Sequence, residues 1–149
     1  MSEESTTLVR RALEAVIRRD YREASDCFRP DAEWHNTRHF PGPLTCVGPR
    51  AIIDFWTTLV ESFDVRDPVS PVGRGGTNIE QIAVGNECVV VGLHSVAWGK
   101  GSGTPLDLHW AAIFSVTAGK ISRVDVHGDW KKALRVAEVK DPPMSQERS

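Results

Sequence analysis

The chain has 149 residues, 40% of them hydrophobic and 26% charged, with a formal net charge of −2. That length fits one domain with a sizeable core, and that balance does not fit a disordered chain. No basic surplus points to nucleic acid as a partner, and no apolar run reaches the roughly 18–20 residues of a membrane span. The aromatic residues are unevenly divided into five Trp, five Phe and a single Tyr, so a pocket here is short of phenol hydroxyls. Cys27, Cys46 and Cys88 are too scattered for a disulfide framework or a zinc site and read as small hydrophobes in a reducing compartment. The opening MSEESTT has no basic region followed by an apolar stretch, so a cytoplasmic location is expected.

In chain order, residues 1–7 and 141–149 read as mobile polar tails around a single domain at 8–140. Leu8, Ala12, Ala15 and Val16 follow a helical period, with Arg10, Arg11, Glu14 and Arg18 on the opposite face. A short second helix over 21–28 follows Asp20, and Pro30 is expected to stop it. DAEWHN (31–36) alternates as a strand, with Ala32, Trp34 and Asn36 on one side and Glu33 and His35 on the other. The proline- and glycine-rich 37–49 reads as a loop, and Pro49 opens a third helix over 49–63. Strands are expected at 78–84, 87–98, 106–116 and 121–127, with GKGSG (99–103) and TAGK (117–120) as hairpin turns. Asp129 caps a last helix over 130–138. Helices first and an antiparallel sheet afterwards make the class α+β.

Three stretches carry a family resemblance. VRRALEAVIRRDYREASDCFRPDAEWHN (9–36), VGPRAIIDFW (47–56) and TAGKISRVDVHGDWKKAL (117–134) resemble the opening helix and first strand, the third-helix entry, and the last turn, strand and helix of nuclear transport factor 2-like proteins. Within that superfamily the chain is most similar to the SnoaL-like group, which includes polyketide cyclases, with ketosteroid isomerase and limonene epoxide hydrolase as cousins. The resemblance implies a cone of curved, mixed sheet wrapped around helices, and a homodimer formed through the outer sheet face. Such folds carry many functions, so the site has to decide.

Strand phase follows from apolarity. Leu106, Leu108, Trp110, Ala112, Phe114 and Val116 face the interior, as do Val89, Val91, Leu93, Ser95 and Ala97, and Val124 and Val126. Arg123, Asp125 and His127 face out. In this phase the family's chemistries do not transfer. The ketosteroid isomerase base and its two donors correspond to Asn36, Ala12 and Leu108, none of which can do that proton chemistry. The epoxide hydrolase Asp–Arg–Asp set corresponds to Leu93, Ser95 and Val126, and Trp34 stands where its Tyr would. The cyclase Asp and its His neighbour fall at Val126 and Ala112.

Three candidate sites remain. Trp34, Asn36, Trp56, Ser95 and Trp110 form either a pocket wall suited to a flat, mostly apolar ligand or simply the filling of the cone. If the hairpin centres between Gly101 and Ser102, His94 and His109 lie opposite each other on the outer face. With Asp125 or His127 beside them they form a possible metal set, or else a polar dimer interface or plain solvent surface. If the strand phase is reversed, His109 becomes the catalytic histidine. Arg38 and His39 sit near the pocket mouth, where His39 is a proton carrier or a solvated loop residue. GRGG (73–76) and GKGSG read as turns, not phosphate loops, and Asp20 and Asp31 as turn and cap residues.

The expected function is binding of a small hydrophobic metabolite of the polyketide or terpenoid kind. If the chain is an enzyme, it performs cyclisation, isomerisation or dehydration without a cofactor, with Asn36 orienting substrate or water. The alternative is a non-catalytic binding or accessory protein, with a metal-dependent enzyme on the outer face in third place. Neither a metal nor an organic cofactor is expected, and neither a membrane nor nucleic acid is an expected partner.

Overall fold

A computed structural model describes residues 2–38, 43–61, 63–64, 76–99 and 105–140. In chain order these form α1 (Ser2–Ile17), α2 (Tyr21–Asp26), β1 (Phe28–His35), β2 (Thr45–Val47), α3 (Pro49–Glu61), β3 (Phe63–Asp64), β4 (Gly76–Val84), β5 (Cys88–Gly99), β6 (Pro105–Thr117), β7 (Lys120–His127) and α4 (Trp130–Ala137). One seven-stranded mixed sheet runs β2-β1-β7-β6-β5-β3, with β4 also paired to β5. β1 lies parallel to β7 and the other pairings are antiparallel. The α+β class and the curved sheet over helices are as expected.

Several boundaries differ from the sequence reading. Helix α1 begins at Ser2, so most of the expected tail at 1–7 is helix; Glu3 and Glu4 in its first turn favour the positive end of the helix dipole. Helix α2 stops at Asp26, four residues before Pro30, which instead lies inside β1. Pro30 is tolerated there because the β1–β7 register breaks between Phe28 and Glu33, where no ladder N–H is demanded of it. Thr45–Val47, expected as loop, pairs with Glu33–His35 as β2. Phe63, expected as the helix end, starts β3. The second expected tail, 141–149, and the hairpin turn residues 100–104 lie outside the described residues.

The strand phase holds. Val89, Val91, Leu93, Trp110, Ala112, Phe114, Val124 and Val126 join one buried cluster with Val9, Leu13 and Ile52 of the helices. The opposite face is not simply solvated: Val90, Ala111 and Ile113 form a second cluster beneath Ala133 and Leu134 of α4. Asp129 caps α4 as expected, accepting from the Lys131 N–H at 3.1 Å. The helix lies close to the sheet because residue 92 is glycine. A Cβ there would stand 3.1 Å from both the Gln81 side chain and the Trp130 ring. The described residues include no helix long and apolar enough to cross a membrane.

Candidate functional site

The tryptophans of the expected wall come together. Strand β1 supplies Trp34, α3 supplies Trp56 and β6 supplies Trp110, and all three project into the same cluster. Trp34 meets Trp56 edge-on at 5.4 Å between ring centroids, and Trp56 meets Trp110 at 6.1 Å. Phe55 and Phe114 extend the contact to either side of Trp34. Trp34 and Trp110 are only 2% and 3% exposed, whereas Trp56 is 9% exposed, so Trp56 is the most open of the three.

The polar groups of this wall satisfy one another. Trp34 Nε1–H donates to Asn36 Oδ1 at 2.8 Å, and Asn36 Nδ2–H donates to the Pro43 carbonyl at 2.9 Å. The Asn36 amide therefore ties β1 to the segment entering β2 and holds an indole in place. That differs from the free inward amide that would aim at a substrate. Ser95 likewise receives the Trp110 Nε1–H at 3.0 Å, and its hydroxyl lies 2.9 Å from that of Thr77 on β4. Thr77, absent from the sequence reading, is placed there by its pairing opposite Ser95.

The outer face carries the second cluster. His94 and His109 are directly paired, as expected, and their rings stack at 3.9 Å with 12° between planes. His109 is exposed, on the face away from the tryptophans, so the reversed phase that would make it a pocket residue does not occur. Asp125 and His127 do not flank the pair. β7 reaches along β6 only to Ala111, which faces His127, while Asp125 faces Ile113 and binds Arg123 at 2.9 Å. Two other carboxylates take that place. Asp107 Oδ1 accepts from His94 Nε2 at 2.5 Å, and Glu80 Oε1 lies 3.1 Å from His109 Nδ1. His94 is buried, and among the described residues it is the one buried polar or charged side chain.

Glu80 reaches this position through a bulge. The β4–β5 register shifts between Ile79, opposite Leu93, and Gln81, opposite Gly92, so Glu80 is the extra residue. Ile79 and Ile82 both pack against the main cluster, a spacing of three that breaks strand alternation and is the sequence signal for the bulge.

The remaining candidates are less engaged. Arg38 is exposed, and His39 and Gly73–Gly75 lie outside the described residues. Asp20 caps α2 through the Glu23 N–H at 3.2 Å, and Asp31 pairs with Arg29 at 3.3 Å. Burial pushes the thiols of Cys27, Cys46 and Cys88 up, away from the thiolate that nucleophilic chemistry needs.

This architecture is shared with known structures. An NTF2-like protein from Burkholderia thailandensis is 20% identical and superposes with a TM-score of 0.71 over 91% of this chain and 96% of its own. An NTF2-like protein from Burkholderia xenovorans gives 0.70 at 16% identity, covering 92% and 98%. TerC, co-crystallised with polyporic acid, gives 0.68 at 16% identity, covering 90% and 97%. Identities this low define the fold class alone. The chain belongs to the SnoaL-like domain family, whose model matches residues 9–124. No curated protein matches it in sequence.

Proposed function

We propose that this SnoaL-like chain binds a small, flat, mostly apolar molecule at the Trp56 end of its aromatic wall. Leu108 and the Thr77–Ser95 hydroxyl pair, all half-buried, would complete the contact surface. Trp34 and Trp110 back this surface as rigid planes whose N–H groups are already committed. The observation that carries the reading is the chemistry of the interior. Among the described residues its polar side chains are indole, amide and hydroxyl groups held in hydrogen bonds, its buried thiols Cys27 and Cys46 are pushed up by burial, and the one buried histidine, His94, is on the other face. A surface of this kind holds a ligand by apolar contact with one or two orienting hydroxyls. It offers no described group suited to general acid or base catalysis, so binding is favoured over cyclisation, isomerisation or dehydration. TerC, a neighbour in fold, was co-crystallised with polyporic acid, which supports ligand binding by this architecture.

The test is a fluorescence titration with aminoanthracene, excited through the tryptophans. Saturable binding at one equivalent, weakened in Trp56→Leu and in Leu108→Asp while circular dichroism stays unchanged, supports the proposal. Absence of saturable binding to the wild-type chain, or binding indifferent to both substitutions, contradicts it.

A further inference from the structure

The His94–His109 cluster has the parts of a cation site that the binding function does not use. We infer that Glu80, His94 and His109 bind a divalent transition-metal ion on the outer face of the sheet, with Asp107 as the positioning residue. Ligand atoms from Glu80, His94 and His109 all lie within 4.8 Å of one another. The two separations to Glu80 are close to those of a filled site. His109 Nδ1 is 3.1 Å from Glu80 Oε1 and His94 Nδ1 is 3.9 Å from Glu80 Oε2. Tetrahedral ligands held at about 2.0–2.2 Å from zinc stand about 3.4 Å apart.

The hydrogen bonding of His94 gives the stronger argument. Its Nε2 lies 2.5 Å from the Asp107 carboxylate, so the proton of that ring sits on Nε2. Nδ1 is then turned toward Glu80, a second carboxylate. The lone pair of Nδ1 and that carboxylate then face each other across 3.9 Å, an arrangement that a metal ion between them satisfies. A carboxylate that fixes the tautomer of a metal-bound imidazole through its far nitrogen is the usual support of such sites. The fold also holds these groups with differing freedom. His94 is buried and fixed, whereas His109 and Glu80 are exposed and can tilt to bring their ligand atoms to a common point. The bulge that delivers Glu80 leaves it free of a fixed ladder partner. Two imidazoles and one carboxylate favour Zn²⁺ and its first-row neighbours over Mg²⁺ or Ca²⁺, which prefer oxygen alone.

The experiment titrates Zn²⁺ into the untagged, chelator-treated chain against a chromophoric competitor, with imidazole ¹⁵N spectra recorded in parallel. The expected result is one equivalent bound with Nδ1 signals shifted. Glu80→Gln and His109→Asn each weaken binding at least tenfold, Asp107→Asn weakens it about 10–100-fold, and Asp125→Asn leaves it unchanged. No saturable binding, or binding that keeps its affinity in either Glu80→Gln or His109→Asn, overturns the proposal. Because both substituted side chains are exposed, loss of folding does not confuse the result, and aminoanthracene binding in the same variants reports on the cone separately.

Discussion

Trp34 and Asn36 lie two residues apart on one face of β1 and its exit, and the indole N–H of the first donates to the amide oxygen of the second at 2.8 Å. Asn36 then passes the connection on to the Pro43 carbonyl at 2.9 Å. Removing the amide strands an indole N–H in a residue that is 2% exposed. Asn36→Ala is expected to cost about 1–3 kcal/mol in urea unfolding. Asn36→Asp, which keeps an acceptor for Trp34 but has no donor for Pro43, should cost less at neutral pH. Equal stability of Asn36→Ala and wild type would remove the structural role given to this amide.

The His127 side chain introduces a pH dependence. Its Nε2 is buried with no hydrogen-bond partner among the described residues, and burial pushes the imidazole below its ordinary value, against a smaller raising effect of Asp125. The unfolded chain therefore binds more protons than the folded one just below the unfolded value of about 6.5. Stability falls as pH drops through that value toward the folded one, and His127 contributes nothing above it. Thermal unfolding from pH 7 to pH 5 should show a shallower decline in His127→Gln than in wild type. Parallel declines would show that His127 does not titrate across folding.

Between β6 and β7, Ala118 and Gly119 both have positive φ, at 54° and 79°, the conformation of a type I′ hairpin turn. Glycine adopts it freely, whereas alanine is strained there. Ala118→Asn or Ala118→Gly is expected to stabilise the chain by about 0.5–1 kcal/mol, measured as a shift of the urea midpoint at constant slope. A lower midpoint in both variants would contradict the turn geometry.

Close packing at Gly92 makes the opposite expectation. A side chain there meets the Gln81 side chain and the Trp130 ring at once. Gly92→Val should cost about 1–3 kcal/mol and loosen α4, with a red shift of tryptophan emission. An unchanged midpoint would show that α4 yields without penalty.

Much of this was legible in the sequence. The parity of Leu108, Trp110, Ala112 and Phe114 gave the inner face of β6, and the hairpin centre gave the His94–His109 pair, because period-two patterning and turn chemistry are local. What escaped was set by interruptions. The bulge at Glu80 and the break in β1 around Pro30 change register without changing composition. β2 is three residues long and held by pairing to β1, beyond the reach of propensity. The flanks of the histidine pair were misassigned for the same reason: β7 stops short of His109, a matter of strand length and not of residue type. Whether Asn36 was free or bonded depended on Pro43, seven residues away, and no pattern encodes that contact.

Ligand binding at the tryptophan wall is tested most directly by the indole N–H signals of the five tryptophans, assigned by substitution, during titration with aminoanthracene. Trp56 is expected to shift first and furthest, with smaller shifts at Trp34 and Trp110 behind it, while Trp130 beneath the outer face stays in place. Shifts confined to Trp130, or none at all at saturating probe, would contradict a ligand site on the inner wall.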